Sequence, residues 1–170
     1  MSTRQLWIVR GLLVVLVGLA GAYKLGPKLY NRHKLGQLQG RPVYDERVNA
    51  QDAYEKALER ANNEHKRLVV VLGGNWCQWC LVLDDLMHEN ANVRGYLDKH
   101  YVLLKLDSQA AKALDETWGK PSHNGVPVMI FLDAKGGVKH VQETGSLELW
   151  HGKILGHDPK RVLEVLQRWS

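Results

Sequence analysis

Cysteine is scarce in this chain of 170 residues: there are two. A framework stapled by several disulfides is therefore excluded. Acidic residues are missing from the first 44 positions, which carry seven basic ones: Arg4, Arg10, Lys24, Lys28, Arg32, Lys34 and Arg41. The formal charge of +5 consequently belongs to that segment. Residues 45–170 hold 16 basic and 18 acidic residues, a net of −2, so the body lacks the basic footprint of a nucleic-acid binder. Internal repeats and low-complexity tracts are absent. What is present, 45% hydrophobic and 24% charged residues, is ordinary globular composition and not that of a disordered chain. The length suits about one domain.

The N-terminal apolar run is short. Residues 11–23, GLLVVLVGLAGAY, are thirteen without a charge, whereas a bilayer core takes about 20 helical residues. The run suits the apolar region of a signal peptide, with Arg4 and Arg10 as its charged lead and Ala20-Gly21-Ala22 as a small-x-small cleavage pattern. Leu6 to Leu25 would span a membrane if Arg10 snorkels. A buried core helix is the plainer alternative. The expectation is export: residues 1–25 form a signal anchor or signal peptide, with an uncleaved transmembrane helix favoured over cleavage. Basic residues on both sides leave the orientation open. Residues 26–44, with Gly26, Pro27, Gly36, Gly40 and Pro42, read as a basic linker.

The body, 45–170, alternates helix and strand. Ala50, Ala53, Tyr54, Ala57, Leu58 and Ala61 form one apolar helical face, predicting a helix from about Asp45 to His65. Leu68 to Leu72 is a continuous apolar run, suited to a strand buried on both faces. Helices are predicted over Cys77–Met87, Asn92–Lys99 and Gln109–Trp118, and strands over Tyr101–Leu106 and Val126–Leu132. Ala134 to Gly137 turns the last of these into a hairpin with Val138–Glu143. Asp158 can cap the final helix, with Pro159 at its first position. The expected architecture is a mixed central sheet flanked by helices. Residues 144–157 have no predicted place.

Both cysteines fall in Trp76-Cys77-Gln78-Trp79-Cys80, after a buried strand and at the start of a helix. Unpaired N–H groups and the macrodipole at a helix N-terminus favour an anion, here a thiolate. The first cysteine can attack a disulfide, and the second, one turn deeper, can resolve the mixed disulfide. Other readings compete. Two core cysteines could share this spacing by chance. A structural zinc site needs two more ligands, and no second C-x-x-C exists, although His88 follows Cys80 by eight residues. The pair alone could capture a soft metal such as Cu(I). Asp84 and Asp85, one turn beyond Cys80, read as solvent-facing acids, and the histidines and Glu143 as surface residues.

The stretch VVVLGGNWCQWCLVLDDLM resembles the strand, active-site turn and helix of the thioredoxin superfamily. Gly125-Val126-Pro127 before an apolar strand is its second signature, and the resemblance covers roughly Asp45 to Ser170. The W-C-x-W-C motif and Gly156-His157-Asp158-Pro159 before the last helix are similar to exported, membrane-anchored members. The resemblance implies a thioredoxin-like fold preceded by an N-terminal hydrophobic helix. It implies Cys77 as nucleophile, Cys80 as resolving cysteine, and a cis Pro127 that keeps metals off the thiols and exposes the Val126 backbone to a substrate strand. Trp76 would belong to the docking surface. Trp79 would shield the sulfurs or simply pack.

The chain departs from cytosolic thioredoxins, whose buried Asp and Lys are expected here at Val71 and Leu103. Its Gln-Trp dipeptide also bars carrying over their strongly reducing potential. The implied activity is thiol–disulfide exchange with protein thiols and disulfides in the bacterial cell envelope, as a periplasmic reductase recharged by a transmembrane thiol reductase. No cofactor or metal is needed beyond the two cysteines. The competing class is a binding module on the same fold, for copper or for protein docking.

Overall fold

The computed structural model describes residues 25–38, 40–149 and 153–170. The chain divides into two units, Met1–Gln37 and Leu38–Ser170. In the first unit, the described residues from 25 onward are helical, where a loose linker was expected. The second unit contains everything that follows.

Its order is α1 (Ala50–Asn63), β1 (Arg67–Gly73), α2 (Gln78–Glu89), α3 (Ala91–His100), β2 (Tyr101–Asp107), α4 (Lys112–Thr117), β3 (Val128–Leu132), β4 (Val138–Glu143) and α5 (Pro159–Trp169). Single 3-10 turns cover Pro121–Asn124 and Thr144–Leu147. The sheet runs β2-β1-β3-β4. β1 is parallel to β2 and antiparallel to β3, and β3 and β4 form the expected hairpin.

Alternation along β1 builds two cores. Leu68, Val70 and Leu72 pack on one face with Ala57 and Ala61 of α1 and Leu114 of α4. Val69 and Val71 pack on the other with Leu83 and Met87 of α2, Val93 and Leu97 of α3, and Val162 and Leu166 of α5. A strand buried on both faces must be apolar at every position, which is why its sequence shows no alternation.

Capping sets the element boundaries that periodicity misplaced. Asp45 Oδ1 accepts the Arg47 N–H at 2.9 Å, so 45–48 turns, and Asn49 caps α1 through Gln51 and Asp52. Asp107 Oδ1 accepts the N–H groups of Gln109 and Ala110, which delays α4 to Lys112. At α5 the expected cap holds: Asp158 accepts from Lys160 and Arg161, and Pro159 follows it. In the segment with no predicted place, Glu148 bridges antiparallel to His157, which returns the chain to α5.

The membrane expectations require correction. Among the described residues no helix is long and apolar enough to cross a membrane. The helical residues 25–38 carry Lys28, Arg32 and Lys34, which a bilayer core excludes. The expected span, 6–25, lies outside the described residues except for Leu25. The N-terminal hydrophobic helix, the signal anchor, the periplasmic location and the transmembrane reductase partner therefore have no support here.

Phe131 is fully buried and meets the Tyr101 ring edge-on at 5.8 Å. Phe131→Ala is expected to lower stability by about 3–5 kcal/mol, read from the midpoint of urea unfolding.

Candidate active site

β1 ends at Gly73, and the turn that follows closes with the Cys77 N–H donating to Gly74 O at 3.1 Å. Cys77 is the cap of α2: its backbone is extended, and its Sγ accepts the Cys80 N–H at 3.3 Å. The sulfur thus occupies the place that Ser or Asp holds at other helix starts. Cys77 is 8% exposed and Cys80 is 0%.

Both cysteines are free thiols. A hydrogen bond from the Cys80 thiol lowers the Cys77 pKa to about 7, aided by the Cys80 and Trp79 N–H groups and opposed by burial. Cys80 shifts the opposite way. Its bond to the Cys77 sulfur favours the protonated form, and burial adds to that. One thiol is set to ionise and the other to keep its proton.

The Val126–Pro127 peptide is cis. Val126 O lies 3.5 Å from Cys77 Sγ, which donates to it as a thiol. Pro127 O accepts the Thr144 hydroxyl at 2.7 Å, which ties the loop to the 3-10 turn after β4. A cavity of about 190 Å³ opens beside the proline, lined by Trp79, Val126, Pro127, Thr144 and Glu148 among others. Trp76 stands 66% exposed over Gly74, where a Cβ would collide with its indole. Trp79 packs against the cysteines and meets His157 edge-on at 5.6 Å. The five residues singled out from sequence, Trp76, Cys77, Cys80, Val126 and Pro127, thus lie on the β1–α2 turn, the first turn of α2 and the β3 entry, and the structure brings Cys77 to Val126.

Three features escaped the sequence. Tyr44 is buried against Cys77 and Cys80. Asn75 holds Tyr44 in place: its Oδ1 accepts the N–H groups of Val43 and Tyr44, and its Nδ2 donates to Tyr44 O. Nothing in the periodicity marks this, since Tyr44 precedes α1. His157, read as a surface residue, is 2% exposed, and neither ring nitrogen has a hydrogen-bond partner among the described residues.

The acids of α2 also need correction. Asp84 is buried: Oδ1 lies 2.6 Å from Lys105 Nζ and 3.3 Å from His88 Nδ1. Asp85 meets Arg41 at 3.6 Å. Neither is a free solvent-facing acid. The register places Lys105 opposite Val71, while Leu103 pairs with Val69. The lysine is therefore present two residues beyond the expected place, and its carboxylate comes from α2 instead of β1. Among the described residues no group of three His, Cys, Asp or Glu is placed to hold a metal.

The family profile described as thioredoxin-like matches residues 49–134. The chain belongs to the thioredoxin-like family. An uncharacterized protein of Caenorhabditis elegans is 24% identical over 109 residues, which are 59% of this chain but 15% of that protein. Among solved structures, a disulphide isomerase from Xylella fastidiosa Temecula1 superposes with a TM-score of 0.65 at 23% identity, over 76% of this chain and 97% of that one. The C-terminal domain of Neisseria meningitidis DsbD, in its oxidised form, gives 0.53 at 16% identity, over 76% of this chain and 100% of that one. A thioredoxin from Thermus thermophilus gives 0.51 at 18%, over 68% and 82%. These likenesses establish a shared fold, and a thioredoxin-like fold with a C-x-x-C pair supports a redox enzyme.

Two measurements probe this thioredoxin-like site. Alkylation of Cys77 by iodoacetamide is expected to rise with a midpoint near pH 7, with Cys80 unmodified, as read by mass spectrometry. Burial lowers His157 from 6.5 to about 4, so on acidification the unfolded chain takes up the proton first. His157 therefore contributes stability above about pH 6.5 that is lost as pH falls toward 4. His157→Phe is expected to flatten that part of the stability–pH curve in urea titrations.

Proposed function

We propose that this chain is a thiol–disulfide oxidoreductase that reduces disulfides in protein partners through Cys77. The observation that carries the reading is the Cys77 sulfur at the α2 N-terminus, accepting a backbone N–H while Cys80 keeps its proton beneath it. The Cys77 thiolate attacks one sulfur of the partner's disulfide. A bond forms between Cys77 and that sulfur, and the other sulfur leaves as a thiolate and is protonated. Cys80 gives up its proton to solvent and, as a thiolate, attacks Cys77 Sγ, forms the Cys77–Cys80 bond and expels the second partner thiolate, which is protonated in turn. A second dithiol returns the pair to its reduced state, so the cycle needs a thiol donor and no other cofactor.

The degree of activation supports this direction. A thiol held near about pH 7 matches the reductant thioredoxin, whereas the strong oxidant DsbA holds its thiol near about 3.5. In this reading the exposed Trp76, the Val126 backbone and Pro127 receive the partner strand, and the cavity beside Pro127 accepts a flanking side chain. The catalytic domain is 45–170, extended by 38–44, where Leu38 and Tyr44 are buried.

The test is reduction of insulin disulfides with dithiothreitol as donor. Wild type is expected to accelerate precipitation of the insulin chains, and Cys77→Ser to abolish the acceleration. Cys80→Ala is expected to accumulate a Cys77–insulin mixed disulfide on non-reducing gels. Equal rates for wild type and Cys77→Ser would sink the proposal.

A further inference from the structure

Tyr44 brings an unpaired hydroxyl to the buried side of the cysteine pair. Its side chain is 2% exposed, and its Oη has no hydrogen-bond partner among the described residues. Asn75, two residues before Cys77, fixes the backbone that carries the ring with three hydrogen bonds of 2.8–3.0 Å to Val43 and Tyr44, and burial confines the ring itself. Gly73 shows where the ring points. A Cβ on Gly73 would collide with Tyr44 Oη and would sit 3.0 Å from Cys80 Sγ. Hydroxyl and thiol therefore flank one point above the end of β1, and only glycine there leaves room for both.

A buried hydroxyl without a partner is unfavourable, and a phenylalanine would fill the same space without that cost. Burial, and then the negative charge that Cys80, Asp84, Cys77 and Asp107 can carry, hold the Tyr44 hydroxyl in its protonated form. It can donate a hydrogen bond and does not act as a base. The dithiol state gives it nothing to donate to, but a sulfur anion at Cys80 would.

We propose that Tyr44 is a positioning residue that donates its O–H to the Cys80 sulfur when that sulfur becomes a thiolate. This rests on the exchange chemistry proposed above. When an incoming thiolate attacks Cys77 Sγ of the oxidised pair, a bond forms between those two sulfurs. The Cys77–Cys80 bond breaks, and its electron pair passes to Cys80 Sγ. That anion forms inside the protein, away from water, where a fixed donor matters most. Tyr44 donates to it and keeps its own proton; Cys80 takes a proton from solvent afterwards. In the reverse direction the same hydrogen bond holds the Cys80 thiolate as it attacks the mixed disulfide at Cys77.

Tyr44→Phe in the full chain separates this from simple packing, because the ring is retained. Thermal unfolding is expected to be unchanged or shifted upward, since an unpaired buried hydroxyl is removed. Reduction of the oxidised pair by dithiothreitol, followed by tryptophan fluorescence, is expected to slow by about ten- to a hundredfold. In a Cys77→Ser background, the thiolate absorbance of Cys80 is expected to titrate about one to two pH units higher with Tyr44→Phe than with Tyr44. Unchanged reduction rate and unchanged titration would overturn the proposal and leave the hydroxyl as a packing feature. A lowered unfolding temperature with an unchanged titration would overturn it too, by showing that the hydroxyl has a structural partner. If wild type reduces insulin and Tyr44→Phe matches it in every readout, only the assignment of Tyr44 fails. If wild type does not reduce insulin, the exchange reading itself fails.

Discussion

At the start of α2 the chain leaves backbone N–H groups without partners in the helix, and the Cys77 sulfur accepts one of them. Everything else at the site depends on that placement. The Cys80 thiol, and after it the backbone N–H groups that the cap position offers, lower the Cys77 pKa to about 7. β1 and the short turn after it present that cap at the C-terminal end of the strand. The sheet can do so because β1 is central, paired on both sides and buried on both faces.

The two thiols differ through depth. Three residues along α2 separate a sulfur that touches the Val126 carbonyl from one with no solvent exposure. A shared hydrogen bond amplifies the difference, since it favours the anion on one sulfur and the proton on the other. The underside of the pair is closed by Tyr44, carried in by the chain before α1 and held by Asn75. A segment that composition marks as linker therefore finishes the site. Thr144 does similar work on the other side by holding the Pro127 carbonyl.

Charge behind the site is arranged by register. Lys105 faces Val71 across the parallel β1–β2 pair, and Asp84 reaches it from α2. A partly buried ion pair of this kind is weak evidence of stability, yet loss of Lys105 would leave the buried Asp84 carboxylate with His88 alone. The two groups are therefore constrained together, although one belongs to a helix and the other to a strand.

Sequence determined much of this protein by local physics. The unbroken apolar run 68–72 fits only a strand buried on both faces or a buried helix, and flanking glycines decide for the strand. Asp158-Pro159 marks a helix start because cap and first-turn geometry are local. Two cysteines three apart at a helix start carry their chemistry on the page. Tertiary structure alone decided the rest. Asp84 reads as exposed because a helix pattern shows that an acid sits there, not that a lysine on β2 reaches it. Counting from Cys77 to the next strand missed Lys105 by two residues because pairing register depends on the whole sheet. Tyr44, Asn75 and His157 were illegible for the same reason. Their partners are distant in the chain, and burial of a polar group is a property of the packed molecule, with no periodic trace in its sequence.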